Sequence, residues 1–217
     1  MKNILLCMLL VFGAIDNEAK TMKDVWLTMP DSLMPYTNTD MRLELADLAQ
    51  THQKAQIKNL FGEQIIMDTI TTEFAQIKLS NASIMQMKLL PTNTGSQILC
   101  MVKTYMGPAA DSKIALYTLD WKLYKIIDSF PMPLSNDSIS VPIALNGLVE
   151  KPDTMKDSHF KDLVKMIEPI VKKLSLSPTE NSLTIQLGLP LINKKDKDML
   201  NAILVKRKLK WNGETFN

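Results

Sequence analysis

Phe74-Ala-Gln-Ile-Lys-Leu-Ser-Asn-Ala-Ser-Ile-Met-Gln-Met-Lys-Leu-Leu90 decides the fold. Ala75, Ile77 and Leu79 alternate with Phe74, Gln76 and Lys78. After Ser80-Asn-Ala-Ser83, a turn signal, Met85, Met87 and Leu89 alternate with Ile84, Gln86 and Lys88. A period of two puts successive side chains on opposite faces of a strand, so each run predicts a strand with one face against a core. The turn between them is too short for a parallel crossover, so the pair must be antiparallel.

The same reading extends outward. Gln97–Thr104 and Lys113–Leu119 follow the breaks Asn-Thr-Gly and Gly-Pro, and Trp121–Ile126 can make a fifth strand. An antiparallel meander results. Upstream, Thr21–Pro35 reads as a short helix and turn, and Asn38–Leu60 as a long helix capped by Asn38 or Thr39 and ended by Gly62. Downstream, residues 128–157 carry Pro131, Pro133, Pro142 and Pro152 among serines and aspartates. They read as a linker or a loop laid over the sheet, with at most a short strand near Ser140–Leu145.

A second helix is expected over His159–Leu174, kinked at Pro169, because Phe160, Leu163, Val164, Ile167, Ile170, Val171 and Leu174 form one apolar stripe. Strands return at Leu183–Leu189 and Ala202–Trp211, and Asn212-Gly213 signals a hairpin into Glu214–Phe216. The fold class is therefore α+β, with antiparallel sheets covered by helices. Residues 20–127 form an N-terminal lobe, 128–157 the linker and 158–217 a C-terminal lobe. Ser83–Leu90 can be laid on Ser182–Leu189, and Leu119-Asp-Trp-Lys on Leu209-Lys-Trp-Asn, as a tandem pseudo-repeat would require.

The apolar run Ile4–Ala14, preceded by Lys2 and followed by Asp16, Asn17 and Glu18, reads as the core of a signal peptide over residues 1–19. Eleven helical residues rise only about 16 Å, too little for a hydrocarbon core of about 30 Å, so no transmembrane anchor is expected once it is removed. Val11 and Gly13 suit cleavage after Gly13. Ala19 suits cleavage before Lys20, although Asn17 is a poor residue two places upstream. Cys7 lacks the small residue that precedes a lipidated cysteine.

Removal of residues 1–19 leaves 24 basic and 21 acidic residues, a balance of +3, too weak to imply a nucleic-acid partner. It also leaves Cys100 without a partner. Alternation with Ile98 and Val102 places Cys100 on the inner face of a strand, as a small hydrophobe.

Thr21-Met-Lys-Asp-Val-Trp26, Met29-Pro-Asp-Ser-Leu-Met-Pro-Tyr36, Met85-Gln-Met-Lys-Leu-Leu-Pro91, Ile98-Leu-Cys-Met-Val-Lys-Thr104 and Tyr117-Thr-Leu-Asp-Trp121 resemble a secreted family of unknown function from Bacteroides-type bacteria. The resemblance spans essentially the whole mature chain. It implies a periplasmic or secreted location and brings no catalytic residue. It also makes an O-glycosylation pattern pertinent, Asp followed by Ser or Thr and then a small or aliphatic residue. That pattern occurs at Asp31-Ser32-Leu33, Asp68-Thr69-Ile70, Asp137-Ser138-Ile139 and Asp153-Thr154-Met155, so Ser32, Thr69, Ser138 and Thr154 are the acceptor candidates.

No catalytic, cofactor or metal site is read from the motifs. The mature chain has two histidines, His52 and His159, and no Gly-x-Ser-x-Gly, His-Glu-x-x-His, cysteine pair or Gly-rich phosphate loop. Met85, Met87, Met101 and Met106 read as core filling rather than copper ligands. The most charged segment, Val205-Lys-Arg-Lys-Leu-Lys-Trp211, sets Lys206, Lys208 and Lys210 on one face of a strand and Val205, Leu209 and Trp211 on the other. It reads as a lysine-guarded edge strand, or as a contact for anionic glycan or lipid headgroups with Trp211 as an aromatic platform.

The leading expectation is a non-enzymatic envelope protein that binds a protein, peptide or glycan through a sheet face or an inter-lobe cleft. A hydrolase or isomerase using dispersed carboxylates is the alternative, and a structural accessory subunit the third.

Overall fold

The computed structural model describes residues 19–130, 141–189 and 193–217. Two helices lead, α1 (Met22–Leu27) and α2 (Thr39–Gln50). Seven strands follow in an uninterrupted meander: β1 (Gln56–Lys58), β2 (Gln64–Ile70), β3 (Phe74–Ser80), β4 (Ser83–Pro91), β5 (Gln97–Met106), β6 (Ala110–Tyr117) and β7 (Leu123–Ile126). Every neighbouring pair in this sheet is antiparallel, in chain order. A 3-10 turn at Ile143–Leu145 and helix α3 (Asp157–Lys165) lead to a three-stranded sheet ordered β10-β9-β8, built from β8 (Val171–Leu176), β9 (Ser182–Gly188) and β10 (Arg207–Lys210), with α4 (Lys194–Asn201) between β9 and β10. The class is α+β, as the alternating runs require.

The seven-stranded sheet is buried on both faces. Ala75, Ile77, Met85, Met87 and Leu99 point to one core, closed by Met22, Val25 and Trp26 of α1 and Leu45 of α2. Phe74, Leu90, Cys100, Val102 and Leu116 point to the other, closed by Phe160 and Leu163 of α3, Leu174 and Leu176 of β8, Ile185 of β9 and Phe216. This second core therefore draws on both halves of the chain and on Leu145, Leu148 and Val149 of the connecting segment. Burying one such aliphatic side chain contributes about 1.5–3 kcal/mol.

The way β8 meets the large sheet is specific. Its amides at Leu174 and Leu176 turn away from β9 and donate to side chains on the sheet's face, Ser112 Oγ and Gln86 Oε1, each at 3.0 Å. An edge strand is thereby covered without a strand partner.

Several boundaries differ from expectation. The helix begun at Asn38 stops at Gln50 rather than Leu60. His52 adopts φ 55° beyond it, and the amides of His52 and Gln53 return to the carbonyls of Ala49 and Leu48, a closed C-terminal cap. Gly62, at φ 82°, turns β1 into β2 instead. The stripe from His159 is helical only to Lys165. Glu168-Pro169 is a cis peptide, and Val171–Leu176 alternates as β8, so Leu174 reaches the same core from a strand. A pre-proline residue disfavours helical backbone, which agrees with termination rather than a kink.

Where a short strand is expected near Ser140–Leu145, Ile143–Leu145 forms the 3-10 turn, and Ser140 lies outside the described residues. The strand expected over Ala202–Trp211 is confined to Arg207–Lys210. The halves also differ in element order, since α4 interrupts the strands of the second and nothing interrupts those of the first.

Candidate functional site

A cleft of about 390 Å³ opens where the β4–β5 turn, the C-terminal hairpin and β7 converge. Its first wall is the turn Thr92–Ser96, closed by Thr92 N donating to Ser96 O at 2.9 Å, with Gly95 at φ 80°. There the hydroxyls of Thr92, Thr94 and Ser96 form a triangle with sides of 2.8, 2.9 and 3.0 Å. Each hydroxyl has one proton and two lone pairs, and the Ser96 carbonyl, 3.1 Å from Thr92 Oγ1, accepts as well, so the protons are taken up within the turn and acceptor lone pairs are left over. The turn therefore offers a cluster of acceptors.

The second wall is the hairpin after β10. Asn212 Oδ1 accepts from the amides of Glu214 and Thr215 at 3.0 and 2.8 Å, and Lys210 and Asn217 exchange backbone bonds at 2.8 and 3.0 Å. This geometry fixes Trp211. Its indole Nε1 donates to Pro91 O at 2.6 Å, and its ring meets Phe216 edge to face at 5.1 Å. The third wall is Thr118 and Tyr124, the latter 63% exposed on β7. Glu214 is the single charged residue among those lining the cleft; Asn93 and Gln97 add amide groups. A fixed indole, an exposed phenol, neutral hydroxyls and amides can hold a polar, uncharged ligand that has one apolar face.

The residues singled out from the basic segment are dispersed by the fold. Trp211 belongs to this cleft. Lys208 pairs with Glu180 at 2.6 Å and holds the Glu180 carboxyl below its usual range. Lys210 is exposed beside it on β10, while Leu209 is buried on the opposite face. Lys206 precedes the strand and lines a different cleft with Lys173 and Lys197. Arg207 is locked inward, Nε donating to Gly147 O at 2.7 Å.

Among the acceptor candidates, Ser32 and Thr154 are exposed in turns, and Thr69 is half-buried in β2 opposite Gln76. Ser138 lies outside the described residues. The apolar run Ile4–Ala14, expected as the core of a signal peptide, lies outside them as well.

Cys100 is fully buried, and burial pushes its thiol far above its ordinary range. Met85 and Met87 fill the helix-side core, Met101 is half-buried against it and Met106 is exposed. Among the described residues no cluster of three or more His, Cys, Asp or Glu is placed to hold a metal. No helix among them is long and apolar enough to cross a membrane. Sequence reasoning found Trp211 and the Asn212-Gly213 turn but not Tyr124, Glu214 or the hydroxyl triangle. Those meet only through pairing over long stretches of chain, and no local motif announces them.

Fold and cleft together define an α+β protein with a meander sheet enclosed between two helices and a smaller sheet. The chain belongs to a protein family of unknown function, DUF3256, which matches residues 14–216. It is similar to the structure of a domain of an uncharacterized protein from Porphyromonas gingivalis W83, with a TM-score of 0.69 and 20% sequence identity, covering 92% of this chain and 98% of that one. At that identity the likeness concerns the fold. Comparison with curated proteins gives no match.

Proposed function

We propose that this is an exported binding protein of the cell envelope, and that the Trp211 cleft receives a neutral glycan. The observation that carries the reading is that the fixed Trp211 indole and the Thr92, Thr94 and Ser96 hydroxyls line one cleft. A sugar ring presents C–H groups on one face, which pack on an indole. Its hydroxyls donate to the triangle's free acceptors and accept from Asn93 and Gln97. Trp211 is already held, so little side-chain entropy is lost on binding. Glu214 is the one carboxylate in the lining, whereas glycoside hydrolysis ordinarily uses a pair, which favours binding over turnover. Export is supported by the charged-apolar-polar order of residues 2–18.

The test is calorimetric titration against a panel of neutral oligosaccharides, with Tyr124→Ala and Trp211→Ala. Tyr124→Ala is the cleaner variant because its side chain is mostly in solvent and the fold should persist. Expected is a ligand whose affinity falls about tenfold or more in both variants, the size of a stacking contact. A panel without binders, or binding indifferent to both substitutions, rules the reading out. Subcellular fractionation tests export, and recovery with the cytosolic fraction would refute it. Among the described acceptor candidates, exposure favours Ser32 and Thr154 over Thr69 for the glycosylation implied by the resemblance; the intact mass of protein from its native envelope reads it directly, at Ser138 as well.

A further inference from the structure

A second cleft, of about 460 Å³, lies on the opposite part of the small sheet and has a different chemistry. Lys173 on β8, Lys197 on α4 and Lys206 after α4 line it together, with the amides of Gln186 on β9 and Asn201 one turn along α4 from Lys197. No Asp or Glu is among its lining residues. Neighbouring clefts mix signs: Glu150, Lys151 and Asp153 in one, Lys161, Lys165 and Glu168 in another. Elsewhere lysines meet carboxylates directly, as Lys151 does Asp157 at 3.2 Å and Lys208 does Glu180 at 2.6 Å. Lys173, Lys197 and Lys206 make no such pair among the described residues. On α4 the carboxylates Asp196 and Asp198 flank Lys197 in sequence; neither lines the cleft, and Asp196 accepts from Asn193 Nδ2 at 2.6 Å.

The floor of this cleft is tightly built. A Cβ on Gly188 would come within 2.5 Å of the Ala110 carbonyl oxygen, so the end of β9 lies directly on the start of β6. Lysines from β8, α4 and the following loop, none of them paired with a carboxylate among the described residues, give the cleft a positive potential that attracts an anion.

We propose that this cleft binds a compact multivalent anion, a phosphate monoester or diphosphate group, held by Lys173, Lys197 and Lys206 with Gln186 and Asn201 as neutral donors. Lysines serve phosphoryl oxygens as point charges, and amide donors fill the remaining lone pairs. The group can belong to a soluble phosphorylated compound or to a phospholipid headgroup. The site is independent of Trp211, and its test does not depend on the glycan reading.

Titration of the full chain with inorganic pyrophosphate, and flotation with vesicles containing phosphatidic acid against vesicles of phosphatidylcholine alone, separate the two sources. Binding in either arm is expected to weaken about tenfold for each lysine changed to Gln, and to disappear in the Lys173→Gln/Lys197→Gln/Lys206→Gln variant. Without ligand that variant should melt no lower than the parent chain, because none of the three lysines makes an ion pair among the described residues. Lys208→Gln, which breaks the pair with Glu180 instead, should leave anion binding unchanged. Absence of binding in both arms overturns the proposal. So does binding that persists in the triple variant, or that falls equally with Lys208→Gln as general surface charge would require.

Discussion

The amide of Leu176 on β8 donates to Gln86 Oε1 on β4 at 3.0 Å, across ninety residues of chain. Gln86 Nε2 in turn donates to Gln76 Oε1 at 2.7 Å, and Gln76 Nε2 to Asp68 at 3.0 Å. Three neighbouring strands of the large sheet thus contribute one side chain each to a chain of bonds that ends on the backbone of the small sheet. Gln86→Leu leaves the half-buried Leu176 amide without a partner, and unfolding in urea should show a loss of about 1–3 kcal/mol. Gln86→Glu keeps the acceptor and should lose less. Equal losses from the two substitutions would mean that packing, not the bond, holds β8 to the sheet.

How far the sequence could reveal this arrangement depends on the range of the interactions. Ala75, Ile77, Met85 and Met87 announce a strand pair because each side chain's face is set by its immediate neighbours, and the structure pairs Ala75 with Met87 and Ile77 with Met85. The same alternation misleads about the second face. Gln76 and Gln86 alternate with the core residues and read as the polar face, yet Gln86 bonds β8, and Ser112, which lies before the strand expected from Lys113, does the same. The apolar stripe of Phe160, Leu163 and Val164 continues in Leu174 because helix α3 and strand β8 face one core. Periodicity alone cannot show where the period changes. For the cleft, Trp211 was legible as an aromatic on a polar strand, whereas Tyr124 and Thr94 reach it only through the tertiary fold.

His52 occupies the left-handed position after α2, at φ 55°, where a side chain carries a conformational cost that glycine avoids. His52→Gly should therefore raise the stability of the protein by about 0.5–1 kcal/mol, read as a higher melting temperature. His52→Val should lower it, since a branched Cβ tolerates this region least. A fall with glycine would mean that the imidazole makes a contribution larger than the backbone cost.

Gly213 lines the Trp211 cleft at the turn of the C-terminal hairpin. Its φ is 97°, and a Cβ there would overlap the Oδ1 end of the Asn93 side chain. Gly213→Ala combines backbone strain of about 1–3 kcal/mol with displacement of Asn93 from the wall. Asn93→Ala removes the overlap but not the strain. The expected order of stability is parent, then Asn93→Ala/Gly213→Ala, then Gly213→Ala. The glycan affinity proposed above should fall in both glycine variants. If Gly213→Ala melts with the parent, the hairpin does not depend on this backbone conformation.

Asp24 shapes the response to acid at the start of α1. The Thr21 hydroxyl donates to its carboxylate at 2.6 Å and the Thr21 amide at 2.8 Å, and these bonds hold the Asp24 carboxyl below its ordinary value. A folded-state value below the unfolded one means that the unfolded chain takes up the proton first. The stabilising effect of the charge is therefore fully present above the unfolded value of about 3.9 and is lost as pH falls through the lower folded value. Asp24→Asn should accordingly be less stable than the parent at pH 7 by a margin that holds to about pH 5 and closes below about pH 4. Thr21→Ala, which removes the cap itself, should cost about 0.5–2 kcal/mol at pH 7. Urea midpoints at pH 7 and pH 3 decide the matter. A margin for Asp24→Asn that stays constant through pH 3 would show that the carboxylate's charge is not what the cap uses.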